Sequence, residues 1–166
     1  MLKHRSNLVA VLLMSLAFLG FRTAPADFSG TWALNEGKSE LGQFGSRGAP
    51  SKIVVAQKAD AILITRTVMS FQGEASNYDE NLTFDGKEVE NTLFGAAKRK
   101  STVKWAADQQ SLTVNYSMVF GQGDRTFELK GTETWTVSAD GKTLTVANTA
   151  STPQGEFSTK MVYDKQ

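Results

Sequence analysis

Four charged residues stand where an alternating chain places apolar ones. Arg66 is bracketed by Ile64 and Val68, Glu80 by Tyr78 and Leu82, Glu133 lies in the row Phe127, Leu129, Trp135 and Val137, and Arg99 precedes Val103 and Trp105 at the same parity. Successive side chains of a strand point to opposite faces, so each of these charges shares the apolar face. A buried charge is costly unless it is paired or bound to a ligand. Two arrangements meet that cost. In the first, Arg66, helped by Arg99 or Tyr116, anchors an anionic or polar head group inside an apolar cavity lined by Ile64, Tyr116, Met118, Phe127 and Trp135, with Glu133 or Glu80 fixing the orientation. In the second, Arg66 pairs with Glu133 or Glu80 as an internal salt bridge. Both readings remain open at this point, and Arg66→Leu separates them: a folded protein that has lost its ligand favours the first, and an unfolded one the second.

Other chemistries are removed by composition. The 166 residues include no cysteine and a single histidine, His4. His4 falls in residues 1–26, which read as a secretory signal: Lys3, His4 and Arg5 supply positive charge, residues 8–21 an apolar run, and Thr23-Ala24-Pro25-Ala26 a small-residue cleavage site. The run is short for a membrane span, so no transmembrane segment is expected after cleavage. The mature chain, residues 27–166, then lacks both His and Cys. Ser-His and Cys-His catalysis, haem ligation through His and zinc sites of the usual kind are excluded, and an enzyme is not expected. Losing Lys3, Arg5 and Arg22 from 18 basic residues leaves 15 against 17 acidic, interspersed rather than clustered, so a nucleic-acid partner is not expected either. Asp79-x-Asn81-x-Thr83 has oxygen ligands at calcium-loop spacing, but Phe84 stands where the loop needs glycine, so neither metal nor cofactor is expected.

The elements that must position the four charges are short strands. Residues 27–35, Asp-Phe-Ser-Gly-Thr-Trp-Ala-Leu-Asn, form the first, with Phe28, Gly30, Trp32 and Leu34 on one side. That alternation makes Trp32 a plug in the floor of a barrel. Residues 36–50, with Gly37, Gly42, Gly45 and Gly48, read as a long solvated loop carrying one helical turn near 39–43. Strand patterns follow at 52–58, 61–71, 78–84, 87–93, 97–105, 111–120, 125–138, 142–151 and 156–164. Asp85-Gly86 is a strong hairpin signal between the fourth and fifth strands, because glycine accepts the positive φ of a type I′ turn. Short turns make consecutive strands antiparallel neighbours, and closing the meander removes its exposed edges. The fold class is therefore all-β: a single antiparallel up-and-down barrel of eight to ten strands.

Gly30-Thr31-Trp32 on the first strand, behind a signal sequence and ahead of a meander, resembles the Gly-x-Trp motif of lipocalins and other calycin-type barrels. The resemblance implies that the indole closes one end of the barrel while a cation near the last strand packs across it; Lys160 is the matching position and Arg125 the next. Avidins begin similarly. The fatty-acid-binding relatives have ten strands but a helical lid after the first, which residues 36–50 encode poorly. The chain is most similar to lipocalin-like families exported by bacteria, which implies a periplasmic or secreted protein binding a small apolar or amphipathic molecule. The alternatives are a filled barrel acting through its surface as an interaction or inhibitor module and, third, a carboxylate-based enzyme.

Overall fold

The computed structural model describes residues 24–70, 73–94, 97–122 and 125–166; the proposed signal of residues 1–26 lies almost wholly outside the described residues. Ten strands follow one another: β1 (Gly30–Leu34), β2 (Lys52–Gln57), β3 (Ala61–Met69), β4 (Ala75–Thr83), β5 (Val89–Leu93), β6 (Ala97–Trp105), β7 (Ser111–Gln122), β8 (Arg125–Val137), β9 (Thr143–Thr152) and β10 (Gly155–Lys165). All ladders are antiparallel, and β1 joins the last strand to the second, giving the order β4-β3-β2-β1-β10-β9-β8-β7-β6-β5. This is the up-and-down all-β barrel that the alternation implies. Among the described residues no helix is long and apolar enough to cross a membrane.

The barrel closes without a final ladder. β4 and β5 flank Asp85-Gly86, yet they are the two edges of the sheet. The tight hairpin expected there is replaced by a wider link from 84 to 88. Phe84 N–H donates to Asp60 O at 2.9 Å and its ring packs 5.3 Å from Trp105, while Asp85 Oδ1 accepts from Thr83 Oγ1 and Lys87 N–H. The turn is satisfied by the Asp85 side chain instead of by a cross-strand pair, which lets the strands diverge. Asn91 bridges the gap with its side chain, accepting from Asn81 N–H at 2.9 Å and donating to Asn81 O at 3.2 Å.

One end of the barrel is packed solid. Trp32, Phe28, Trp135, Tyr163 and Leu144 are all fully buried in one cluster. Trp32 Nε1–H donates to Phe28 O at 2.9 Å, and Phe28 meets Trp135 edge-on with ring centroids 6.2 Å apart. The chain before β1 straps this end: Ala26 N–H donates to Gln109 O, and Gln57 holds both Ala26 O and Phe28 N–H. The cation over Trp32 is Lys165, with Nζ 5.0 Å from the ring centroid, and not Lys160. Lys160 is half exposed, pointing outward towards Glu40 at 3.8 Å. It falls on the other parity from Met161, Tyr163 and Lys165, so it cannot reach the indole. Gly30 stands at φ +136°, and a Cβ there would come within 2.8 Å of Lys165 Cε. Glycine ahead of Trp32 is thus what lets the lysine cross. The side chain of Arg125 lies outside the described residues.

Candidate functional site

The four inward charges of β3, β4, β6 and β8 meet in the lumen as a closed ring of alternating sign. Arg66 Nε lies 2.8 Å from Glu80 Oε2 and its Nη2 2.7 Å from Glu133 Oε2; Arg99 Nε lies 2.9 Å from Glu80 Oε1 and its Nη2 2.8 Å from Glu133 Oε1. None of the four is more than 4 % exposed. The contacts to Glu133 are hydrogen bonds as well as ion pairs, and Trp135 Nε1–H adds a third at 2.8 Å. The contacts to Glu80 are out of line for hydrogen bonding, so this fully buried carboxylate is held by ionic attraction. The rings complete the enclosure: Arg66 lies 5.3 Å over Trp135 and Arg99 3.9 Å over Tyr116.

Electrostatics follow from this closure. Burial alone pushes the Glu133 carboxyl up, but the Arg66 and Arg99 guanidiniums outweigh it and hold the group well below the usual carboxylate range. Burial likewise works against both arginine cations, and Glu133 and Glu80 more than compensate, so each pKa lies above its ordinary value. Only Arg66 and Glu80 sit on ladder-paired strands. The other links span the lumen or the gap between β4 and β5, so the ring ties the barrel together where the backbone ladder stops.

Above the ring lies a partly open cavity of about 210 Å³. Arg99, Glu133 and Tyr116 form its floor, Met118, Leu129 and Met161 its apolar wall, and Leu41, Gly42, Gln43, Gly48 and Pro50 its cover. Room for Tyr116 comes from Gly131, its cross-strand partner on β8, where a Cβ would stand 2.5 Å from the ring. The Tyr116 hydroxyl donates to Asn148 Oδ1 at 2.8 Å, and burial, helped by Glu133, pushes its pKa up to about 12. The cover belongs to the long segment after β1, which forms 3-10 turns at Glu36–Lys38 and on either side of a kink at Gly45 within Gly42–Gly48, in place of one turn near 39–43. Glu40 stays extended because its backbone exchanges two hydrogen bonds with Lys160 on β10, both 2.8 Å.

No family model matches the chain, and no curated protein matches it. Among solved structures, the zebrafish ileal bile acid-binding protein complexed with cholic acid superposes with a TM-score of 0.52 at 18 % identity, over 84 % of this chain and 98 % of that one. The two share the fold of an antiparallel up-and-down β-barrel. Within this barrel, the structure joins Arg66 to both acidic candidates at once. Tyr116, Met118, Arg99 and Glu133 line the cavity, whereas Arg66 and Glu80 form the far side of the ring. Three expected lining residues fall elsewhere. Trp135 and Ile64 are buried in the packed cluster, because inward parity says nothing about depth along the barrel. Phe127 is 43 % exposed and stacks on Phe120 at 5.5 Å, where the hairpin of β7 and β8 overruns the wall. Leu129, Met161 and Asn148 were readable from alternation as inward residues, Asn148 in one row with Leu144, Val146 and Ala150, but the cover segment carried no such signal.

Proposed function

We propose that this chain is an exported binding protein that holds one small apolar or amphipathic molecule, non-covalently, in the cavity above the charged ring. The observation that carries the reading is the cavity itself: a buried polar floor, an apolar wall and a glycine-rich cover converge on one partly open space. Its volume of about 210 Å³ exceeds the roughly 150 Å³ that takes a benzene-sized guest and is below the roughly 300 Å³ at which drug-sized pockets begin. The occupant is therefore a molecule of one ring or a short chain. That the zebrafish neighbour was crystallised with cholic acid is in keeping with a ligand in the lumen, on the strength of a shared fold alone. Binding is favoured over catalysis because the two fully enclosed carboxylates among the described residues, Glu80 and Glu133, are both held in ion pairs. Export rests on residues 1–26, and N-terminal sequencing of the protein recovered outside the cytoplasm should find them gone; a retained apolar run sinks that part of the proposal.

The binding reading is tested by filling the cavity. Toluene titrated into the protein is expected to shift the methyl resonances of Met118 and Met161, and Leu129→Trp to abolish the shift while leaving the fold intact. Toluene binding unchanged in a folded Leu129→Trp variant contradicts the assignment. Native mass spectrometry of protein from its source then identifies the natural occupant.

A further inference from the structure

The ring that floors the cavity also bears on what can bind there. Arg99 and Glu133 are the two charged groups among the cavity-lining residues. Neither has charge to spare. The Arg99 guanidinium donates to Glu133 through Nη2 and to Ser101 through Nε, lies in ionic contact with Glu80, and has one of its faces covered by Tyr116 at 3.9 Å. Both Glu133 oxygens are taken, by Arg99 on one side and by Arg66 and Trp135 on the other. Two guanidiniums against two carboxylates leave the ring formally neutral. A carboxylate reaching Arg99 would lie against Glu133, and an ammonium reaching Glu133 would lie against Arg99. Either ion would enter a low-dielectric space with its counter-charge already engaged.

The polar groups left for a guest are uncharged. The Tyr116 hydroxyl donates to Asn148 Oδ1, and the Asn148 amide nitrogen has no other partner among the described residues. Gln43 and Thr159 add an amide and a hydroxyl group around the same space. We infer that the cavity selects a small uncharged molecule bearing an amide- or hydroxyl-type polar end, and discriminates against carboxylates and amines of the same shape. This rests on the reading of the cavity as a ligand site and narrows its ligand class.

Benzamide, benzoate and benzamidinium form an isosteric set differing in charge. Titrated into the full-length folded protein at pH 7 and followed by calorimetry and by the Met118 and Met161 methyl resonances, benzamide should bind at least about ten-fold more tightly than either ion, about 1.4 kcal/mol. Benzoate or benzamidinium binding as tightly as benzamide overturns the inference and leaves the binding reading standing. Binding of toluene with none of the three also overturns it. If neither toluene nor any of the three binds, both readings fail together. Glu133→Gln, which releases one charge of Arg99, should move the preference towards benzoate by roughly ten-fold wherever the variant folds, and an unmoved preference in a folded variant counts against the ring as its source.

Discussion

The two ends of the barrel are written in the same alternating pattern and finish differently. At the closed end, Phe28, Trp32, Trp135 and Tyr163 leave no exposed surface, and the chain before β1 is drawn across them. At the other end Tyr116, Met118 and Leu129, inward by the same parity, line a space instead of filling one. Side-chain size explains part of the difference, since three of those four closed-end residues are Trp or Phe. Glycine explains more: Gly131 removes a side chain from the inward row of β8 beside Tyr116, and the segment over the mouth carries Gly42, Gly45 and Gly48. The ring of Arg66, Glu80, Arg99 and Glu133 is the boundary, with Arg66 against Trp135 below and Arg99 against Tyr116 above. Periodicity decides which way a side chain points, while neighbours decide whether it finds anything to touch.

Breaking the boundary should have the largest effect. Arg66→Met leaves Glu80 and Glu133 sharing one guanidinium and should cost about 3–5 kcal/mol in denaturant unfolding. Replacing all four ring residues with apolar ones, together with Trp135→Phe to remove the stranded indole N–H, should recover most of that loss. A single variant as stable as the parent would show that the ring carries little of the closure between β4 and β5.

The packed and hollow halves should respond unequally to truncation. Leu82→Ala in the closed cluster should cost about 2–5 kcal/mol, as a new cavity opens in full packing. Met118→Ala removes a side chain that already borders empty space and should cost less than about 2 kcal/mol. Equal losses would contradict a hollow upper half.

Alkaline titration compares the same halves through the three tyrosines. Burial raises the pKa of Tyr78, Tyr116 and Tyr163, with Tyr116 pushed up to about 12 and Tyr163 further. The folded state therefore keeps protons that the unfolded chain gives up near pH 10, so this contribution to stability is complete below pH 10 and lost as pH rises through about 12. Absorbance near 295 nm should stay flat through pH 10 in folded protein. A full tyrosinate step there would mean that the phenols are wet. The smallest effect belongs to the outer edge of the closed end, where Lys165→Met removes an exposed cation from the Trp32 face and should cost roughly 0.5–1 kcal/mol by thermal unfolding.

These contrasts also mark what was legible beforehand. The inward positions of Ile62, Ile64, Arg66, Glu80, Leu82, Arg99 and Glu133 follow from alternation alone, and every one is buried. Which charge meets which does not follow, because residues 66, 80, 99 and 133 are brought together by barrel closure and not by any spacing in the chain. Lys160 and Lys165 show the same limit from the other side: both lie on β10, and only the parity shared with Met161 and Tyr163 distinguishes the one that reaches Trp32. Asp85-Gly86 was misleading for a local reason, since the Asp85 side chain satisfies the turn by itself and frees β5 from β4. The cavity was least legible of all, being made by a glycine in one strand and a cover from a distant loop.

The most direct test of a barrel divided by its ionic ring is a crystal pressurised with xenon, which enters apolar cavities and leaves packed cores empty. Xenon is expected beside Met118, Leu129 and Met161, on the cavity side of Arg99 and Glu133, and none among Phe28, Trp32 and Trp135. Xenon among the tryptophans, or no xenon beside Met118, would contradict it.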